Sequence, residues 1–182
     1  MASAASDADL VRSAQGGDVA AFEMLVRRHL GAVYGHALRF FGERGTAEDA
    51  AQEVFVKVYR SLAEFDGRSE FSTWLFRVTR NVCLDIFRRD RRRAQPVDPA
   101  DLPQAETADF ADAAVLSAAL EQAVRALQPE ERDAFNAVAL FGLSYDMAAE
   151  ALGVPPGTVK SRVFRARRSL VIWLGLDSGN EA

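Results

Sequence analysis

The stretch FSTWLFRVTRNVCLDIFRRDRRR, residues 71–93, combines a large flat ring, an amide and a ladder of arginines. At about 100° per residue, Leu75, Val78, Val82 and Ile86 share one side of a helix, while Trp74, Arg77, Asn81, Asp85 and Arg88 crowd an adjacent one. The first side is suited to burial. The second has the chemistry of a surface that stacks bases and pairs phosphates, and it is equally the pattern of an amphipathic helix with a solvated basic face. A second candidate lies in LSYDMAAEALGVPPGTVKSRVFRARRSL, residues 143–170, where Lys160, Ser161, Phe164, Arg165 and Arg168 fall on one helical stripe. In a DNA major groove, Arg165 and Lys160 could reach guanine edges or phosphates, Ser161 could read either partner, and Phe164 could lie against a thymine methyl. Arg162 and Arg167 lie to the sides, where phosphates run.

A third candidate is EDAAQEVFVKVYRSL, residues 48–62. Ala51, Val54, Phe55, Val58 and Leu62 form an apolar stripe, and Asp49, Gln52, Glu53, Val56 and Arg60 form an outer one. An outward valine beside carboxylates suits a protein-binding surface as well as a solvated face. Residues for other chemistry are scarce. Cys83 is the single cysteine, which excludes an internal disulfide and a cysteine-cluster zinc site, and it reads as a small buried hydrophobe. His29 and His36 stand near Glu23, but seven residues of helix separate them by about 10 Å along the axis, too far to share an ion. No nucleophile, phosphate loop or carboxylate pair accompanies them. The chain is expected to have no catalytic site, no metal and no cofactor.

The elements that must position these residues are helices. The chain has 182 residues, 49% of them hydrophobic, enough for one medium core or two small ones. No apolar run reaches the length of a membrane span, and the N-terminus lacks a basic start followed by an apolar block, so a cytoplasmic protein with no membrane insertion of its own is expected. The net charge of −4 conceals a segregation. Seven arginines against two aspartates lie between Arg77 and Arg93, and five basic residues against no acidic one between Thr158 and Arg168. Between Ala94 and Val124 there is no lysine or arginine, but there are six acidic residues. Two basic patches flank an acidic joint, so whole-chain charge is a poor guide to partners.

Helix-period patterns dominate, without alternating strand segments, which predicts an all-α fold. A first helix is expected near Ala8 to Ala14. Asp18 is placed to cap a second, and Thr46, with Asp49 three residues on, to cap a third through about Leu62. Asp66 and Gly67 break the chain before the basic helix. The stretch QPVDPADLPQAETADF, with three prolines between Pro96 and Pro103 and no apolar period, reads as a flexible acidic linker. Helical patterns then resume near Ala113 and run to about Leu174. Two small helical domains follow from this, residues 1–94 and 114–182, joined by residues 95–113.

In the second domain, Ser144 can cap a short helix whose Ala148, Ala149 and Leu152 face inward. Gly153 supplies a left-handed turn residue, Val154 packs the turn, and Pro155 and Pro156 open a helix buried through Val159, Val163, Ala166 and Leu170. A small residue four before the glycine and a branched one six after it fit a DNA-binding helix-turn-helix. Taken in order, the DxxQE helix, AEFDGRSEFSTWLFRVTRN and GLSYDMAAEALGVPPGTVKSRVFRAR resemble a bacterial sigma factor of the sigma-70 family, in the small extracytoplasmic-function (ECF) group. The resemblance covers about Asp9 to Leu174. It departs at Met147, where a glutamate commonly closes a capping box.

That resemblance implies two regions and a set of partners. Residues 1–94 would be the region 2 domain, in which Asp49, Gln52, Glu53, Val56 and Arg60 bind core RNA polymerase at the clamp helices of its largest subunit. Phe65 and the loop to Glu70, with Trp74, Arg77, Arg80, Asn81 and Arg88, would melt the minus-10 promoter element, Asn81 matching the base-pocket asparagine. Residues 114–182 would be the region 4 domain, reading the minus-35 element through Lys160, Ser161, Arg162, Phe164, Arg165 and Arg168. The linker would thread the polymerase's RNA channel. Factors of this group are commonly held inactive by an anti-sigma factor. The implied function is promoter-specific transcription initiation, with the polymerase owning the catalysis. The alternative is a stand-alone helix-turn-helix regulator, which leaves the Trp74 and Asn81 face without a role.

Overall fold

The structure, a computed structural model, describes residues 5–93 and 113–175. Among these there are eight α-helices and one 3-10 turn, and no strand. The predicted linker lies outside the described residues apart from its last position. Helices α1 (Asp7–Gln15), α2 (Val19–Phe41), α3 (Arg44–Ser61) and α4 (Phe71–Arg93) form the first domain, with the 3-10 turn Leu62–Glu64 after α3. Helices α5 (Ala113–Ala126), α6 (Pro129–Ala139), α7 (Tyr145–Leu152) and α8 (Pro156–Trp173) form the second.

Local chemistry sets the helix ends. Ser6 and Asp9 make a capping box at α1, with Asp9 N–H donating to Ser6 Oγ at 3.2 Å and Ser6 N–H donating to the Asp9 carboxylate at 3.3 Å. Asp18 caps α2 as expected, accepting from the amides of Ala20 and Ala21 at 3.0 and 3.2 Å. The expected cap at Thr46 is corrected to Glu43. Gly42 ends α2 with φ 79°, which leaves Glu43 extended, and its carboxylate accepts from the amides of Gly45 and Thr46 at 3.2 and 3.1 Å. Thr46 therefore sits in the first turn of α3, and its hydroxyl donates to the same carboxylate, whose pKa it lowers.

Leu25, Val33, Val54, Val58, Leu75, Phe76 and Val82 fill the first domain, each almost wholly buried. Burying a side chain of this kind contributes roughly 1.5–3 kcal/mol. His36 lies in the same interior, and burial presses its pKa down to about 4, so the ring is neutral near pH 7. Cys83 is also buried, as expected, and burial pushes its thiol up to about 12, which leaves it protonated.

The second domain turns at Gly153, which takes φ 67°, while Ser144 Oγ accepts from Met147 N–H at 3.2 Å. The single serine cap suffices without the glutamate. Ala148, Ala149, Val159, Val163, Ala166 and Leu170 are all buried, so α7 and α8 cross as a helix-turn-helix. The two domains pack directly on each other. Phe141 stands edge-on to Phe76 with ring centroids 5.2 Å apart, and it also covers His36 at 6.1 Å.

Candidate nucleic-acid interface

Three surfaces carry the residues singled out above. On α8, Lys160, Ser161, Phe164, Arg165 and Arg168 are exposed together, opposite the buried positions that fix the helix. Phe164 is 66% exposed, the most open large hydrophobic side chain among the described residues. A ring in that position adds little to the protein's own core and is open to contact from outside. Arg162 is half-buried at the side. Arg165 Nε donates to Glu131 of α6 at 2.7 Å, which fixes the guanidinium by one edge and leaves its terminal nitrogens for other acceptors. Lys160 lies over the Tyr145 ring at 5.9 Å.

The α4 face is organised differently. Trp74 is half-buried, tilted against Phe65 at 5.0 Å and Phe71 at 5.8 Å, so it closes an aromatic cluster under the preceding loop. Gln15 of α1 anchors that loop, donating to the carbonyls of Leu62 and Phe65 at 2.9 and 2.8 Å. Gly67 turns it with φ 72°. Asn81 and Arg88 are exposed, and Arg88 reaches Asp85 at 3.4 Å. Arg77 and Arg80 are instead paired with the second domain. Arg77 donates to Glu150 and Arg80 to Asp133, both at 2.6 Å.

The outer stripe of α3 faces solvent. Asp49, Gln52 and Arg60 are exposed and Val56 is 49% exposed, whereas Glu53 is half-buried and accepts from Arg89 of α4 at 2.7 Å. That bond raises the pKa of Arg89. Beside the stripe, α2 and α3 enclose an open, largely apolar groove lined by Phe22, Val26, Leu30, Phe55, Val56 and Tyr59, with Gln52 and Arg60 at its edge. Leu30 and Tyr59 are 47% and 61% exposed. Sequence periodicity missed them, although an apolar residue on the polar side of an otherwise regular helix was the available signal.

The two histidines have separate structural roles. His36 is packed among Phe40, Phe76 and Phe141, and His29 Nε2 meets the Asp7 carboxylate at 2.8 Å. Among the described residues no group of three or more histidine, cysteine or acidic side chains is placed to hold a metal ion, and no helix is long and apolar enough to cross a membrane.

Sigma-70 region 2 matches residues 25–93, and Sigma-70 region 4 matches residues 117–170. The chain is 39% identical over 176 residues to the ECF RNA polymerase sigma factor SigE of Mycolicibacterium smegmatis, which covers 91% of this chain and 67% of that protein. It is 33% identical over 178 residues to the RNA polymerase sigma-H factor of Pseudomonas aeruginosa, covering 90% of this chain and 91% of that one. Among solved structures, the sigma factor RpoE of Bartonella quintana, in complex with the anti-sigma factor NepR, matches with a TM-score of 0.67 at 25% identity, over 86% of this chain and 98% of that chain. A helix-turn-helix with an exposed basic stripe, a second basic helix and matches to both regions agree with one another, and the chain belongs to the sigma-70 family as an extracytoplasmic-function RNA polymerase sigma factor.

Proposed function

We propose that this sigma factor binds core RNA polymerase through α3 and directs it to promoters, in the cytoplasm and under the control of an anti-sigma factor. Residues 1–94 act as the polymerase-binding and minus-10 domain, and residues 114–182 as the minus-35 domain. It performs no catalysis of its own. The observation that carries this reading is the exposed stripe of Lys160, Ser161, Phe164, Arg165 and Arg168 on the second helix of the helix-turn-helix. A ring, a hydroxyl and three cations on one face suit base edges, a thymine methyl and phosphates together. Asp49, Gln52, Val56 and Arg60, beside the apolar groove, suit a helical partner whose own apolar side fills it. Phe65, Trp74, Arg77, Arg80, Asn81 and Arg88 hold the melted minus-10 strand. Unstacking a base costs a few kcal/mol, which an amide pocket and nearby cations can return. The anti-sigma factor bound to the Bartonella relative supports the same mode of control here.

Run-off transcription with bacterial core polymerase on sheared genomic DNA tests the reading. New discrete transcripts are expected only when the protein is added, and Val56→Asp, a surface change, should abolish them while leaving the melting temperature unchanged. A chain that binds duplex DNA but never binds core would instead be a stand-alone helix-turn-helix regulator.

A further inference from the structure

Of the basic residues from Lys160 to Arg168 on α8, Arg165 alone is held in an ion pair among the described residues. Its Nε donates to Glu131 Oε1 at 2.7 Å, across a sequence separation of 34 residues. The two partners are set differently. The Arg165 side chain is 55% exposed, whereas that of Glu131 is only 14% exposed. Glu131 stands in the first turn of α6, two residues after Pro129, so the carboxylate is carried by a second helix packed along α8. We propose that Glu131 is a positioning residue for promoter reading: it holds Arg165 by the Nε edge, so that the terminal nitrogens meet a guanine of the upstream element, and it weakens the pull of phosphates on that guanidinium. The inference rests on the reading that α8 recognises minus-35 DNA.

The donor geometry carries the first half of this. A guanidinium has five N–H donors, one on Nε and four on the terminal nitrogens. With Nε taken by Glu131, the outer edge between the two terminal nitrogens is the one left for a bidentate contact, and guanine O6 and N7 match that pair. A free arginine must give up rotamer freedom when it reaches a base. Here the side chain is ordered before DNA arrives, so binding loses less to that step. Charge carries the second half. A phosphate is drawn by net charge, whereas a guanine edge needs hydrogen-bond donors. A carboxylate 2.7 Å away offsets the guanidinium's field at longer range and leaves the terminal donors in place. Glu131 therefore favours base contact over backbone contact at this one position, while Arg167 and Arg168 stay exposed for phosphates.

The test uses holoenzyme formed from the full chain and core polymerase, on a promoter mapped by run-off transcription whose upstream element is randomised one position at a time. A fluorescent duplex of unrelated sequence probes non-specific binding by the full chain. Wild type should prefer G·C at one upstream position, and Glu131→Ala should lower that preference by roughly threefold or more while sparing the other positions. In an Arg165→Ala background the same change should have no further effect. Glu131→Gln keeps an acceptor for Nε without the charge and should retain most of the preference. Both Glu131→Ala and Glu131→Gln should bind the unrelated duplex more tightly, with a salt dependence steeper by about one in the log–log slope. Glu131→Asp keeps the charge one methylene short of Nε; it should lose the preference without that tightening, and it serves if the alanine variant does not fold. Glu130→Gln, an exposed neighbour, makes the same charge change and should leave the preference at the wild-type level. An undiminished preference in Glu131→Ala and Glu131→Asp overturns the inference, as does an equal loss with and without Arg165. If wild type transcribes from the promoter but no upstream base matters to it, the minus-35 reading fails and takes this inference with it.

Discussion

Helices α4 and α8 are both rich in arginine, yet they are set in the molecule in opposite ways. Helix α8 buries one stripe, Val159, Val163, Ala166 and Leu170, and gives the other side to solvent. Helix α4 is enclosed on two sides. Leu75, Val82 and Ile86 face the first domain's core, while Phe76 meets Phe141 of the second domain. The same residue type thus lies on an open helix side in α8, where Arg165 is held by Glu131 of its own domain, and in an interdomain contact in α4, through Arg77 and Arg80. Charge density along the sequence does not separate the two cases; the number of buried sides does.

The largest effects should come from the side of α4 that α8 lacks. Phe76→Ala should cost about 3–5 kcal/mol in urea unfolding, because the ring is fully buried. Phe164→Ala should cost less than about 0.5 kcal/mol and still abolish use of the upstream promoter element. Equal stability losses in the two variants would erase the distinction. Ala149→Leu, at the close crossing of α7 and α8, should overpack it by about 1–3 kcal/mol, read as a lowered melting temperature. Arg165→Ala should leave melting nearly unchanged while costing about 1–3 kcal/mol of discrimination among minus-35 sequences, scored by promoter competition.

A further effect is a dependence on pH. His36 has a folded pKa of about 4 against an ordinary value of 6.5, so between these values the unfolded chain binds the extra proton. Stability from this group is therefore intact above pH 6.5 and falls as the pH drops toward 4. The slope is at most about 1.4 kcal/mol per pH unit. Denaturation of His36→Phe across that range should show a shallower decline than wild type, and identical slopes would mean that His36 is not buried as described.

Much of this was legible in the sequence, for reasons that particular residues make plain. The turn at Gly153, the cap at Ser144 and the stripe on α8 follow from local spacing, which a helix-turn-helix uses almost unmodified. The cap of α3 was misplaced because Thr46 fits the common pattern, whereas Glu43 becomes available only once Gly42 has turned the chain. The roles of Glu131, Asp133 and Glu150 were not legible. Their partners lie 34, 53 and 73 residues away, and nothing in a carboxylate's neighbours announces a distant arginine. His36 gave an ambiguous signal for a similar reason, since one of the rings packed against it, Phe141, comes from the other domain.

The Glu53–Arg89 bond has a consequence of a different kind. It joins the outward stripe of α3 to the basic end of α4, so the two helices share one pair of opposite charges. Any ligand that engages Glu53 more strongly than Arg89 does must release that guanidinium, and any ligand that takes Arg89 must release the carboxylate. Thermodynamic reciprocity then requires each ligand to alter the affinity of the other by the same factor. A single exposed ion pair is worth only about 0.2–1 kcal/mol, so that mutual factor stays below about sixfold.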